Sequence, residues 1–150
     1  AKNIYFKWPN DIFYKKKKFA GIVSEIVKIK NKHSYVIIGF GINLISSAEL
    51  DKYNATYLKF FCNIKTIDNF LIIFFNILFF NIEKLKKGKK KQLMKNFSNS
   101  LLFMNKKINL ILPNKNEKKG IFKGVNDDGS LKLLIHGKVE NIYNGSIKIW

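Results

Sequence analysis

Alternating and continuous apolar stretches divide the first 45 residues into three predicted strands. They are Ile4 to Trp8, Lys18 to Lys30, and Ser34 to Asn43. The second stretch alternates in part between apolar and polar residues, which is typical of a strand with one solvated face. Residues 36–38 are apolar on both sides and predict a strand at the centre of a sheet. Asn31, Lys32 and His33 predict the hairpin turn between the last two strands.

Helical spacing replaces this pattern further along the chain. Ser46 and Ser47 predict the cap of a short helix, Ser47 to Tyr53. A long apolar helix is predicted from Thr66 or Asp68 to Lys86 or Lys87, with Gly88 ending it, and a second helix from Lys89 to Leu102. The long helix is interrupted by Asn76 and Asn81 and is too short for a bilayer span of about 20 apolar residues. It is therefore predicted to pack on the sheet as a buried or amphipathic helix, and not in a membrane.

Short strands separated by glycine turns follow from about residue 105. The predicted strands are Lys107 to Leu112, Lys118 to Val125, Ser130 to Ile135, Lys138 to Ile142, and Gly145 to Ile149. Asp127 to Gly129 and His136-Gly137 supply hairpin turns. Five short strands in so few residues predict a small SH3-like barrel. We therefore place one domain at residues 1–104 and a second at residues 105–150.

The charge of the chain is strongly positive, with a formal net charge of +18. Such a charge would favour nucleic acid as a partner. All 28 basic residues are lysine, however, and base-edge recognition favours the bidentate guanidinium of arginine. The chain also over-uses Asn, Ile and Phe, so we interpret the charge as compositional drift and expect no specific nucleic-acid partner. Cys62 is a single cysteine, which excludes an intramolecular disulfide, and the chain opens on a strand without a signal peptide, so a cytoplasmic setting is expected.

The densest polar chemistry lies in the stretch KWPNDIFYKKKKFAGIVSE, residues 7–25, and in GFGIN, residues 39–43. Pro9 ends the first strand, so Asn10 and Asp11 present an amide and a carboxylate at its end. Lys18 stands beside Gly21, where the missing side chain lets another atom approach the backbone. Taken alone, each of these residues also fits a plain structural role: Lys18 a solvated hairpin lysine, Asp11 and Asn43 turn residues.

KWPND, K-x-A-G-I and G-x-G-I-N, in this order, resemble the biotin protein ligases. The resemblance implies an α+β fold, with a mixed sheet backed by helices as in part of a class II synthetase-like catalytic domain, followed by the SH3-like barrel. It implies catalytic roles for Lys18 and Asp11. It implies contacts to biotin or its adenylate for Lys18, Gly21, Trp8, Asn10 and Gly41. Asn43 and Lys7 would lie near the nucleotide phosphates and metal, with no metal ligand assigned.

The same resemblance implies an activity and its partners. Biotin would be joined to a lysine of the biotin carboxyl carrier domain of acetyl-CoA carboxylase through biotinyl-5′-AMP. Biotin, ATP and Mg²⁺ would be substrates, with no tightly bound prosthetic group, and family members often form a homodimer through a sheet edge. The motif begins within a few residues of Ala1, so we expect the family's upstream Gly/Arg-rich loop to be missing. The alternatives are a truncated or split fragment that is inactive alone, and a basic SH3-like binding module. Trp150 stands where the family often has a basic residue.

Overall fold

The computed structural model describes residues 3–28, 34–47 and 54–148. Two compact units make up the chain. The first consists of Ala1–Ile4 and Asn10–Phe70, and the second of Tyr5–Pro9 and Leu71–Trp150. The predicted hairpin turn at residues 31–33, nearly all of the predicted helix at residues 47–53, and Trp150 lie outside the described residues. The predicted domain boundary at residue 104 stays a prediction.

The first sheet has four strands in the order β1-β2-β3-β4. Their bounds are β1 Ile4–Lys7, β2 Asp11–Tyr14, β3 Lys17–Lys28 and β4 Ser34–Ile42. Strand β3 is antiparallel to both β2 and β4. The sequence predicted three strands here and missed β2, which is only four residues long. A tight turn joins β2 to β3, and Lys15 adopts the left-handed conformation there with φ 53°.

Strand β4 lies at the end of this sheet and not at its centre. The prediction of a central strand from residues 36–38 is therefore wrong for the described residues. Its apolar side chains are exposed on both faces, from Tyr35 to Ile38. The composition is that of a strand covered on both sides, but the described residues supply neither cover nor a further strand.

A small apolar core holds the first unit together. Phe19, Ala20 and Leu58 are buried, and partly buried residues such as Ile12 and Ile42 pack against them. Tyr14 and Phe61 stack with ring centroids 4.0 Å apart. Leu58 opens a short 3-10 helix, Leu58–Phe60, so this core fixes the segment after residue 54 against β3.

Two helices follow, α1 at Ile67–Lys86 and α2 at Lys90–Ser98. The long predicted helix is thus confirmed, and Gly88, with φ 72°, ends it as predicted. Thr66 caps its start, because the Thr66 hydroxyl oxygen accepts a hydrogen bond from the Asn69 N–H at 3.1 Å. None of the side chains of α1 is buried, so the expectation of a buried helix is wrong. No helix among the described residues is long and apolar enough to cross a membrane.

The second sheet has five antiparallel strands in the order β8-β7-β6-β5-β9. The bounds are β5 Lys107–Ile111, β6 Glu117–Val125, β7 Leu131–Ile135, β8 Lys138–Ile142 and β9 Ser146–Ile147. Each prediction of a strand here is confirmed within a few residues. His136 and Gly137 both have positive φ in the two-residue turn between β7 and β8. The inner faces of these strands form the larger core, which includes Leu110, Phe122, Leu131 and Leu133.

Candidate functional site

Lys18 and Asp11 form an ion pair in the first unit. The Lys18 Nζ lies 2.6 Å from the Asp11 Oδ1, and the two side chains are 38% and 15% exposed. The pair bridges β2 and β3, because Asp11 opens the shorter strand while Lys18 lies near the start of the longer one. A cation is thus held at a defined position on the sheet, with part of its surface open to a ligand.

An extra residue in β3 decides which way Lys18 faces. Asp11 pairs with Gly21 and Ile12 with Ala20, but Phe13 pairs with Lys18, so Phe19 has no partner of its own on β2. Such a bulge interrupts the alternation of side chains along the strand. In a regular strand, Lys18 would share a face with Ala20. Here the Lys18 Cε would instead lie 3.8 Å from a Cβ built on Gly21, so the lysine stands on the Gly21 side.

The backbone at Gly21 forms the floor beside the ion pair. A Cβ at Gly21 would also lie 3.7 Å from the Asp11 Oδ1 and 3.7 Å from the Asn10 carbonyl oxygen. The same carbonyl of Asn10 accepts a hydrogen bond from the Ile22 N–H at 2.9 Å. Gly41 pairs with Gly21 across the β3/β4 ladder. Two adjacent positions without side chains therefore leave open backbone next to the Lys18 ammonium.

The segment at residues 54–56 fixes Lys18 and Asn43 in place. The Lys18 N–H donates to the Asn54 carbonyl at 3.0 Å, and the Thr56 N–H donates to the Lys18 carbonyl at 2.9 Å. The Asn43 Nδ2 donates to the Thr56 carbonyl at 3.1 Å. The sequence gave no signal for this segment, because its contribution is made by backbone groups and not by side-chain chemistry. Asn43 thus has a structural contact, and its assignment to the phosphate and metal region stays a prediction.

The other lysines of the run differ from Lys18. Lys15, Lys16 and Lys17 are exposed, whereas Lys18 is half-buried. Exposed lysines of this kind are strongly hydrated, and a single one of them contributes little to a defined binding geometry. Lys18 is therefore the member of the run that the fold positions.

Lys7 and Trp8 lie in the second unit. Trp8 is 3% exposed and belongs to the larger core, beside residues such as Leu101 and Ile108. Its indole Nε1 donates a hydrogen bond to the Gly129 carbonyl at 2.9 Å. Lys7 is likewise buried, at 4% exposed. The structure thus brings together Asn10, Asp11, Lys18, Gly21, Gly41 and Asn43, while the predicted ligand contacts of Lys7 and Trp8 stay predictions.

Metal-binding clusters were sought over the same described ranges. Residues 3–28, 34–47 and 54–148 contain no group of three or more His, Cys, Asp or Glu side chains that could hold a metal ion. The donors gathered around Lys18 are one carboxylate, amide groups and backbone. Such a set suits an anionic ligand, with any divalent ion arriving bound to that ligand.

Comparison with known proteins agrees with this site and fold. Residues 1–43, which contain all six of the grouped residues, match the sequence profile of the biotin/lipoate A/B protein ligase family. The crystal structure of the biotin protein ligase from Aquifex aeolicus matches the chain with a TM-score of 0.79 at 21% identity. The same ligase in complex with biotin and ATP matches with a TM-score of 0.77 at 22% identity. A mutant of it in complex with biotin matches with a TM-score of 0.78 at 22% identity.

These matches cover 97% of the present chain but only 60–64% of the Aquifex aeolicus chains. The fold is thus that of a biotin protein ligase, in its α+β class as predicted. The resemblance of the three motifs to the biotin protein ligases is confirmed as well, by the profile match over residues 1–43. The chain spans less than two thirds of the ligases whose fold it shares.

Proposed function

We propose that this chain supplies part of the active site of a cytoplasmic enzyme that attaches biotin to a lysine of the biotin carboxyl carrier domain of acetyl-CoA carboxylase. The observation that carries the proposal is the Lys18–Asp11 ion pair at 2.6 Å, set beside the open backbone of Gly21 inside the profile-matched segment. Support also comes from the Aquifex aeolicus ligase of the same fold, which binds biotin and ATP.

The proposed reaction has two steps. The biotin carboxylate first attacks the α-phosphorus of ATP, forming biotinyl-5′-AMP and releasing pyrophosphate. The amine of the acceptor lysine then attacks the biotinyl carbonyl, an amide forms, and AMP leaves with the bonding electrons of the anhydride while the amine loses a proton. Both steps place negative charge on oxygen, so a fixed cation stabilises each transition state.

Lys18 has the position that this chemistry requires. Its ammonium, held by Asp11, would neutralise the carboxyl and phosphate oxygens that approach over Gly21. The half-buried setting strengthens such contacts relative to bulk water. Because the backbone of Lys18 is fixed at both its N–H and its carbonyl, little reorganisation is needed when charge develops.

The remaining site residues would bind and orient the ligand. Gly21 and Gly41 would admit the adenylate close to the backbone, and Asn10 would contact it through its exposed amide. Asn43 and Lys7 would lie near the phosphates, with Mg²⁺ entering as the MgATP complex. No step in this scheme modifies a side chain of the chain itself, and no tightly bound prosthetic group takes part.

The experiment measures biotin-dependent exchange of labelled pyrophosphate into ATP, followed by biotin transfer to a carrier domain detected with streptavidin. It is performed on the 150-residue chain and on a chimera in which this chain replaces the matching part of the Aquifex aeolicus ligase. We expect exchange and transfer in the chimera. A chimera that folds by circular dichroism but shows no biotin-dependent exchange would contradict the proposal.

A further inference from the structure

Beyond Gly21, strand β3 leaves β2 and continues with β4 alone. Strand β2 pairs with residues 17–21 of β3, whereas β4 pairs with the full length from Ala20 onward. Residues 22–27 of β3 and 35–40 of β4 therefore form a two-stranded ribbon among the described residues. We call this segment the ribbon. A two-stranded ribbon without a covering layer is at best marginally stable in water.

Both faces of the ribbon are apolar and exposed. On one face, Val23, Tyr35 and Ile37 are 66%, 57% and 58% exposed. On the other face, Ile26, Val36 and Ile38 are 66%, 59% and 44% exposed. The cross-strand register assigns the faces, because Ile26 pairs with Val36 and Val27 pairs with Tyr35. Contiguous apolar surface of this kind marks an interaction site.

The edge of the ribbon is open as well. Strand β4 is the terminal strand of its sheet, so alternate backbone N–H and carbonyl groups point away from β3. A strand that is apolar on both faces and open at one edge suits the interior of a larger sheet. Its partner must therefore add a strand along β4 and supply apolar side chains to both faces.

Charge and length decide between two occupants. A second copy of this chain would bring a further +18 of formal charge to the same interface, and net charge of that size opposes self-association. The Aquifex aeolicus ligases, by contrast, contain more than a third of their length outside the match, since the chain covers only 60–64% of them. That length is sufficient for a strand and covering elements.

We propose that the ribbon binds the polypeptide that corresponds to this outside part of the biotin ligase fold, with a new strand pairing along β4 and apolar side chains covering both faces. The choice of occupant rests on the proposed function, whereas the need for a cover rests on the exposed ribbon alone. The pairing would extend the sheet that carries Lys18 and Gly41, so the same contact would stiffen the site.

The experiment uses binding, not activity, so that it is independent of catalysis. The probe is the part of the Aquifex aeolicus ligase outside the match, produced as a separate polypeptide and mixed with the 150-residue chain. Hydrogen exchange by mass spectrometry and sedimentation velocity are recorded with and without the probe. We expect a one-to-one complex and at least a tenfold slowing of amide exchange in residues 35–40.

Matched variants locate the contact. Ile37→Lys should weaken binding at least tenfold, because it places an ammonium within the covered face. Val139→Lys changes an equally exposed strand residue of the second unit, 55% exposed, and should change binding less than twofold. Unchanged exchange in residues 107–142 would show that both variants fold. Absence of slowing with the probe, or ribbon protection that comes from a dimer of the chain alone and is lost in Ile37→Lys, would overturn the proposal.

Discussion

At the scale of single residues, the site depends on a bulge more than on the residue types that surround it. Phe19 has no partner on β2, and this extra residue turns Lys18 toward Gly21 and Asp11. The motif could be recognised in the sequence, and the pairing of Lys18 with Asp11 could not, because a lysine run contains no information about which ammonium a bulge will orient.

The first prediction concerns Gly21. Its backbone does not require a glycine conformation, and an added Cβ would make only ordinary contacts of 3.7–3.8 Å with Asp11 and Lys18. Gly21→Ala should therefore fold normally, with an unfolding midpoint close to that of the parent. The methyl group would occupy the space over which the adenylate approaches, so we expect biotin-dependent pyrophosphate exchange in the chimera to fall roughly tenfold or more, by analogy with misplaced reacting groups.

The matched control for Gly21 is Gly39→Ala. A Cβ at Gly39 would approach only the Val23 carbonyl, at 3.9 Å, away from the ion pair. This variant should keep most of the exchange activity. Equal losses in the two variants would show that Gly21 has no special position beside the ligand.

At the scale of elements, strands and turns of the second unit were predicted well and the first sheet less well. Hairpins with glycine turns carry their own local signal, as at His136-Gly137. Strand β2 is four residues long, and its identity depends on pairing with β3, which is a tertiary effect. The placement of Trp8 in the larger core was missed for the same reason, since its hydrogen-bond partner Gly129 lies 121 residues away.

The turn before β7 supports a prediction on pH. The Ser130 hydroxyl and N–H both donate to the Asp128 Oδ1, at 2.6 and 2.9 Å. These hydrogen bonds, the hydroxyl first, hold the pKa of Asp128 below its ordinary value. A lowered carboxyl pKa means that the native state favours the charged form, so its stabilisation is present above the ordinary pKa and is lost as pH falls through the lowered one.

Asp128→Asn should therefore be less stable than the parent near neutral pH, with the difference narrowing in acid below the ordinary aspartate range. Urea unfolding at a series of pH values measures this, and we expect a small effect because the carboxylate is exposed. Asp127→Asn is the control, since it removes the same charge from the same turn and leaves both bonds to Ser130 in place. A gap between Asp128→Asn and the parent that stays constant down to acid pH would contradict the account.

At the scale of the whole molecule, the sequence predicted the fold class and the order of elements, but not which apolar surfaces would be covered. Residues 36–38 and helix α1 have the composition of buried elements and are exposed among the described residues. Burial is a property of what packs against an element, so hydrophobic pattern alone cannot establish it. The same limit explains why the motif indicates a ligase site while the chain spans only 60–64% of the ligases it matches.

The most direct test of the account compares Lys18→Ala with Lys16→Ala in the chimera, by the rate of biotinyl-5′-AMP formation in a single turnover. Lys18 is ion-paired at the site and Lys16 is exposed in the turn. By analogy with the loss of one oxyanion donor, Lys18→Ala should slow adenylate formation on the order of a hundredfold or more, and Lys16→Ala by less than about twofold. Equal and small effects from the two substitutions would contradict the assignment of Lys18, and with it the proposed active site.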